Sequence, residues 1–374
     1  MTYLDNNATT RVAPEVLEAM LPFLVENYGN PSSAHSLGLL AKNAITTART
    51  RVAGLIGAKM SEIVFTGSCT ESNHVAIRGV LAGNRHRIVT TAVEHPSTLA
   101  LLESLEADVV RVPVLASGVL DVDELVAAVT PDTALVSVMW ANNETGTLFP
   151  VDAAARIAHA RGALFHTDAA QVIGRVAVDM AATGVDLASF SGHKIHAPKG
   201  VGVLYVRRGV RLRPLIHGQQ ERQRRGGTEN VSGIVALGAA CLLAAASQVT
   251  ESARLERLRN RLEAEILRRV PGACVNGAAV QRLPNTSNIT FDGIAAEALL
   301  ERLDRAGIAA SSGSACAAGG DEPSHVLLAM GLSPRDAHST LRLSLGRFNT
   351  DADIDHVIDT LPALAAGLRQ PLAA

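Results

Sequence analysis

Ser189-Phe190-Ser191-Gly192-His193-Lys194 closes one apolar run, and His166-Thr167-Asp168-Ala169-Ala170-Gln171 closes another just upstream. Each run is short and ends in polar residues, the mark of a buried strand with its C-terminal end at a polar edge. Asp168 and Lys194 stand 26 residues apart, one after each run. Similar runs occur at 62–66, 87–91, 108–112, 134–139 and 202–206, with helical patterns between most of them. That alternation predicts an α/β fold: a mainly parallel sheet flanked by helices on both faces.

The chain has 374 residues, more than one core usually organises. Residues 12–253 are assigned to a large lobe. Residues 1–11 and 254–374 are assigned to a smaller α+β lobe, with strand candidates at 287–291 and 341–345 and helices at 295–306 and 351–368. A long helical pattern over 231–269 leaves the large lobe, with Leu255, Leu258, Leu262 and Ile266 on one stripe. Helices are also expected over 14–26 and 37–55.

Hydrophobic residues make up 47% and charged residues 19%, which excludes a disordered chain. A net charge of −2 gives no field for nucleic acid or an acidic membrane surface. The apolar stretch 233–246 is too short to span a bilayer and reads as a buried helix. The first seven residues are neither basic nor apolar enough for a targeting signal, so a cytoplasmic location is expected. The four cysteines, Cys69, Cys241, Cys274 and Cys316, show no metal-binding or redox spacing, and no metal is expected.

An acid and a lysine at neighbouring strand ends are what a pyridoxal phosphate site needs. The amine joins the cofactor aldehyde, and the carboxylate holds a proton on the pyridine nitrogen. Taken singly, Asp168 reads as a helix cap and Lys194 as a solvated lysine; the pair, with Gln171, Ser191 and His193, is hard to explain as structure. Gly67-Ser68-Cys69-Thr70 lies between a strand and a helix and offers amides to a phosphate, or else a bare helix start capped by Thr70. His95, in Val93-Glu94-His95-Pro96, follows a strand and can stack on the ring; alone it reads as a surface histidine. Asn142-Asn143-Glu144 reads as a turn or as an amide source for cofactor and substrate. Arg342 interrupts an apolar strand, either paired between the lobes or gripping a carboxylate in its fork. Arg222-Gln223-Arg224-Arg225 is read as a solvated loop or as lying near a subunit interface. Cys316 sits in Ser311-Ser312-Gly313-Ser314-Ala315-Cys316-Ala317-Ala318-Gly319-Gly320, a mobile-looking loop with little side chain to bury a thiol. A lysine-bound cofactor beside such a thiol suggests sulfur transfer.

These stretches, with Tyr3-Leu4-Asp5-Asn6-Asn7-Ala8-Thr9-Thr10, Gly227-Thr228-Glu229-Asn230 and Ser344-Leu345-Gly346-Arg347-Phe348, resemble the cysteine desulfurases of the NifS/IscS group, within the class-V aminotransferase-like, fold-type I enzymes. The resemblance runs nearly the whole chain in order. It implies that Lys194 carries the cofactor, Asp168 pairs with the ring nitrogen, and His95 stacks on the ring and shuttles protons. It gives Asn143 and Gln171 to the phenolic oxygen. Cys69 (through its backbone), Thr70, Ser191 and His193 would hold the phosphate, with Thr228 reaching across from a second subunit of a homodimer. Arg342 and Asn143 would bind the substrate carboxylate.

The implied reaction converts L-cysteine to alanine and leaves the sulfur as a persulfide on Cys316, for an acceptor such as an iron–sulfur scaffold. Selenocysteine lyase, and a silent sulfur-carrier platform, share the framework. The sequence departs from the family at Cys69, where a small residue is usual, and at His217-Gly218-Gln219-Gln220-Glu221, usually Gly-rich. Asn142-Asn143-Glu144-Thr145-Gly146, Phe149-Pro150-Val151 and a short tail after Leu368 lean toward the NifS branch, and so toward nitrogen fixation.

Overall fold

The computed structural model describes residues 1–81, 85–312 and 322–369. Twelve strands occur among them: β1 (Thr2–Tyr3), β2 (Ile63–Thr66), β3 (Arg87–Thr91), β4 (Asp108–Val112), β5 (Thr133–Ser137), β6 (Leu164–Asp168), β7 (Leu187–Ser191), β8 (Gly202–Val206), β9 (Ala273–Val275), β10 (Thr286–Phe291), β11 (Ile308–Ala309) and β12 (Thr340–Ser344). Strands β2 to β8 form one sheet in the order β2-β8-β7-β6-β5-β3-β4. Strands β3 to β7 pair in parallel, whereas β8 runs antiparallel to both neighbours. The sheet is mainly parallel, as expected, with one reversed strand. Helices cover its faces, so β5, β7 and β8 are buried along their whole length, and their near-continuous apolar sequences follow from that.

A second core gathers Leu4, Leu258, Leu262, Phe291, Leu299, Leu343 and Leu361. It lies among the antiparallel sheet β12-β10-β9 and the helices Ala296–Arg305 and Asp351–Arg369. The 39-residue helix Val231–Arg269 serves both cores: Ile234, Leu237 and Cys241 enter the first, and Leu255, Leu258, Leu262 and Ile266 the second. By length and composition this helix could cross a bilayer; its apolar N-terminal part is instead packed chiefly on the helix Ser36–Leu55. β1 pairs in parallel with β11, which brings the first residues of the chain to the second core.

Three local expectations change. The helix expected over 14–26 is two, Pro14–Met20 and Pro22–Val25, because Pro22 has no N–H to continue the first. The cap of helix Cys69–Val80 is Ser68, whose Oγ accepts from the Glu71 N–H at 3.0 Å, not Thr70. The segment 222–225 is more than a solvated loop: Arg225 pairs with Glu71 at 2.8 Å, and Arg222 and Arg224 donate to the Ser61 carbonyl.

Just before that segment, Glu221 is buried. It takes two hydrogen bonds from Arg49, at 2.6 and 2.7 Å, and one from the Phe65 N–H at 3.0 Å. The Arg49 guanidinium also lies over the Phe65 ring. Removing one partner of a buried pair leaves the other charge uncompensated. E221A is therefore expected to lose about 3–5 kcal/mol of stability. Denaturant unfolding reads this directly, and a loss below about 1 kcal/mol would show an exposed-type pair instead.

Candidate active site

Parallel strands deliver their C-terminal ends to one edge of the sheet. Thr91, Ser137, Asp168 and Ser191 end β3, β5, β6 and β7 there. The reversed β8 begins at this edge, with Gly202 opposite both Ser191 and Thr66. A Cβ on Gly202 would stand 2.5 Å from the Ser68 carbonyl carbon, so only glycine lets the start of helix Cys69–Val80 settle against the sheet. The cavity above this edge has a volume of about 220 Å³. Cys69, Thr70, His95, Asn143, Asp168, Gln171, Ser191, His193 and Lys194 all line it.

Asp168 is buried and its oxygens are held by three donors. Asn73 Nδ2 reaches Oδ2 at 2.8 Å; the Ala170 N–H and the Cys69 thiol reach Oδ1 at 3.0 and 3.4 Å. Burial, and then the Asp168 charge, push the Cys69 thiol well up, so it stays protonated as a donor. Lys194 Nζ donates to the carbonyls of Asn7 and Ala8 at 2.5 and 2.8 Å. Gln171 Nε2 donates to the same Asn7 carbonyl at 3.1 Å.

His95 caps the helix Pro96–Glu103, its Nδ1 accepting from the Ser97 N–H at 3.2 Å. An accepting Nδ1 leaves the ring proton on Nε2. Burial lowers the His95 pKa, which keeps the ring neutral. His193 is pulled down to about 4 by burial and by Lys194, and its Nδ1 lies 3.1 Å from the Thr9 hydroxyl. Neutral, it still offers an N–H.

Other expected residues lie apart. Arg342 is fully buried and does not line the cavity; it donates to Asp5 at 2.8 Å and to the Asn143 carbonyl at 3.1 Å, and its Nε has no partner among the described residues. Thr228 lines a separate hollow with Gly200, Arg225 and Asn230. Cys316 lies outside the described residues. Just after that stretch, Ser324 donates to the buried Glu144 at 2.6 Å and His325 Nε2 to the Glu94 carbonyl at 3.0 Å.

Three residues had no role assigned from sequence. Asn73 follows Cys69 by one helical turn on the same face, a spacing that could have marked it. Arg175 follows Gln171 by four residues and donates to its side chain. Glu94 carries no sequence signal for its depth. Its Oε1 accepts from Thr91 and from the Met139 N–H, its Oε2 has no partner among the described residues, and burial raises it to about 8.

The family model for class-V aminotransferases matches residues 2–357. The chain belongs to the class-V aminotransferase family. A cysteine desulfurase of Gluconacetobacter diazotrophicus is 52% identical over 98% of this chain and 94% of its own length. The cysteine desulfurase NifS of Azotobacter vinelandii is 50% identical over 98% and 93%. Among solved structures, a NifS-like protein superposes with a TM-score of 0.92 at 39% identity, covering 98% of this chain and all of that one. A complex of SspA with cysteine gives 0.81 at 35%, covering 94% and all of that chain. This class-V enzyme depends on pyridoxal phosphate, and its cavity suits that group. One wall has a helix N-terminus whose capping is done by Ser68, which leaves the Thr70 hydroxyl for a phosphate. The same cavity holds a carboxylate braced by donors and a lysine amine.

Two measurements follow. G202A should pull the helix start off the sheet and lower the cofactor retained per chain, read as visible absorbance against protein. Full loading would show that the close approach is dispensable. Folded Glu94 keeps its proton up to about pH 8, whereas an unfolded glutamate releases it near its ordinary value. The folded state thus binds more protons across that window, and its stability falls as pH rises through it. E94Q should remove this slope, so its stability relative to the wild type should rise between about pH 5 and about pH 9. A flat difference in denaturant unfolding would mean that Glu94 is ionised throughout.

Proposed function

We propose that this cysteine desulfurase moves the sulfur of L-cysteine to Cys316 as a persulfide, releases alanine, and passes the sulfur to an acceptor for iron–sulfur cluster assembly. The observation that carries the reading is the convergence of Lys194, the braced Asp168, the neutral His95 and the capped helix start on one cavity, in a chain half identical to named desulfurases.

Bound pyridoxal phosphate supplies an aldehyde for amines and a ring that withdraws electrons from the substrate α-carbon. Cys69 N–H, Thr70, Ser191 and His193 hold its phosphate. Asp168, braced by Asn73, holds a proton at the ring nitrogen. Asn143 and Gln171 stand for its phenolic oxygen. Lys194, the amine that would hold the cofactor, would also carry the substrate α-proton. His95 exchanges protons through Nε2, since Nδ1 is committed to the helix start. Arg342 supplies the buried positive charge that attracts the substrate carboxylate, with Asn143 alongside. The Cys316 thiolate attacks the substrate sulfur; the carbon–sulfur bond breaks with its electron pair going to the β-carbon, which takes a proton and leaves as alanine.

A homodimer is part of the proposal. Thr228 sits outside the cavity of its own chain, and Leu17, Leu21, Leu24, Val25 and Tyr28 expose an apolar surface that a second copy would cover. We place the reaction in the cytoplasm, where a working thiol stays reduced; Cys69, Cys241 and Cys274 are likewise free. The likeness to a cysteine desulfurase NifS supports the NifS-branch reading, and with it we propose nitrogenase maturation as one destination of the sulfur. With L-cysteine, the purified holoenzyme should yield alanine and a persulfide on Cys316. C316A should lose alanine formation by about a hundredfold or more while keeping its visible absorbance. Undiminished alanine from C316A would remove Cys316 from the mechanism.

A further inference from the structure

Arg175 is a buried cation with no carboxylate partner among the described residues. Its Nη1 donates to the Gln171 carbonyl and to Gln171 Oε1, both at 2.9 Å. Its Nη2 reaches the carbonyls of Asn6 and Lys194, both at 3.4 Å. The guanidinium has no acceptor, so it fixes which end of the Gln171 amide faces it. Oε1 is committed to Arg175, and Nε2 is turned the other way. Nε2 and Lys194 Nζ then meet at one acceptor, the Asn7 carbonyl. A donor is thereby held beside the amine that joins the cofactor. In pyridoxal phosphate the phenolic oxygen is on the ring carbon next to the one bearing the aldehyde, so the atom nearest such a linkage is an oxygen that carries negative charge.

We propose that Arg175 is a positioning residue that locks the Gln171 amide with its N–H toward the Lys194–cofactor linkage, stabilising negative charge on the neighbouring phenolic oxygen and lowering the pH at which the linkage loses its proton. The proposal rests on the desulfurase reading of the site. Burial, and next Arg342, draw the Arg175 pKa down only to about 10, so the charge persists at neutral pH. The charged and titratable groups around the linkage are Asp168 on β6, Cys69 at the helix start, His95, His193, and Arg342 on β12 with its partner Asp5. The substitutions below leave all of them in place.

The test is a pH titration of the visible absorbance of the holoenzyme, with no substrate turnover involved. R175M frees the amide to turn or drift, and the midpoint should rise by about one unit or more. Q171L should raise it as well, and the R175M/Q171L double variant should stand no higher than Q171L. Because a buried methionine there can cost folding, the same cycle is run with R175K, which keeps the charge but not the planar fork. A smaller rise that vanishes in the Q171L background is expected. A midpoint unmoved in both Arg175 variants, or a shift that persists undiminished without Gln171, overturns the proposal. A wild-type chain with no cofactor band overturns the desulfurase reading itself, and this inference with it. A normal wild-type band insensitive to Arg175 overturns the inference alone.

Discussion

A parallel strand cannot hairpin to its neighbour; it must cross over, and every strand so connected points the same way. That constraint brings the ends of β3, β5, β6 and β7 to one edge. His95, Asp168 and Lys194, distant in sequence, become neighbours because Asp168 ends one of those strands and the other two follow theirs within a few residues. The reversed β8 completes the arrangement. It returns to the same edge with a glycine, and the missing side chain makes room for the helix start that faces the phosphate. The segment after β1 contributes through backbone: the carbonyls of Asn6, Asn7 and Ala8 take donors from Arg175, Gln171 and Lys194.

The electrostatic design is one of neutral rings around a few fixed charges. His95 and His193 are both held below their ordinary pKa by burial, and Glu94 keeps its proton for the same reason. Asp168 and Lys194 are the acid and the amine that line the cavity, while Arg175 and the Arg342–Asp5 pair lie outside its lining. Such a cavity favours an anionic ligand with one protonated nitrogen, the charge pattern of the cofactor the family uses.

Strand positions were legible because β2 and β8 are apolar runs bounded by turn residues, a local signal that burial on both faces reinforces. The reversal of β8 was not legible, since strand direction is set by how the chain connects and not by periodicity. Nine of the residues expected near the cofactor line one cavity, because each sits next to a strand end that the sequence marks. The braces were missed for a physical reason. Asn73 and Arg175 act on other side chains from within a helix or turn, and Glu94 is distinguished only by depth. Arg342 was left between two readings; the structure pairs it with Asp5 and seats it against the Asn143 carbonyl, contacts that a strand pattern does not reveal. Cys316 lies beyond what the described residues address.

Strand β1 has a further consequence, in the order of synthesis. Thr2 and Tyr3 pair with Ile308 and Ala309, and Asn7 and Ala8 carry the carbonyls that receive Lys194. The residues of β1 thus find their place only late in synthesis. They wait, exposed, until residue 309 has been made, while the large sheet, whose strands end at residue 206, can already close around its core. Non-local pairing of this kind is slow to form and open to misassembly. The carbonyls that receive Lys194 are therefore seated late, after the large sheet has its strands.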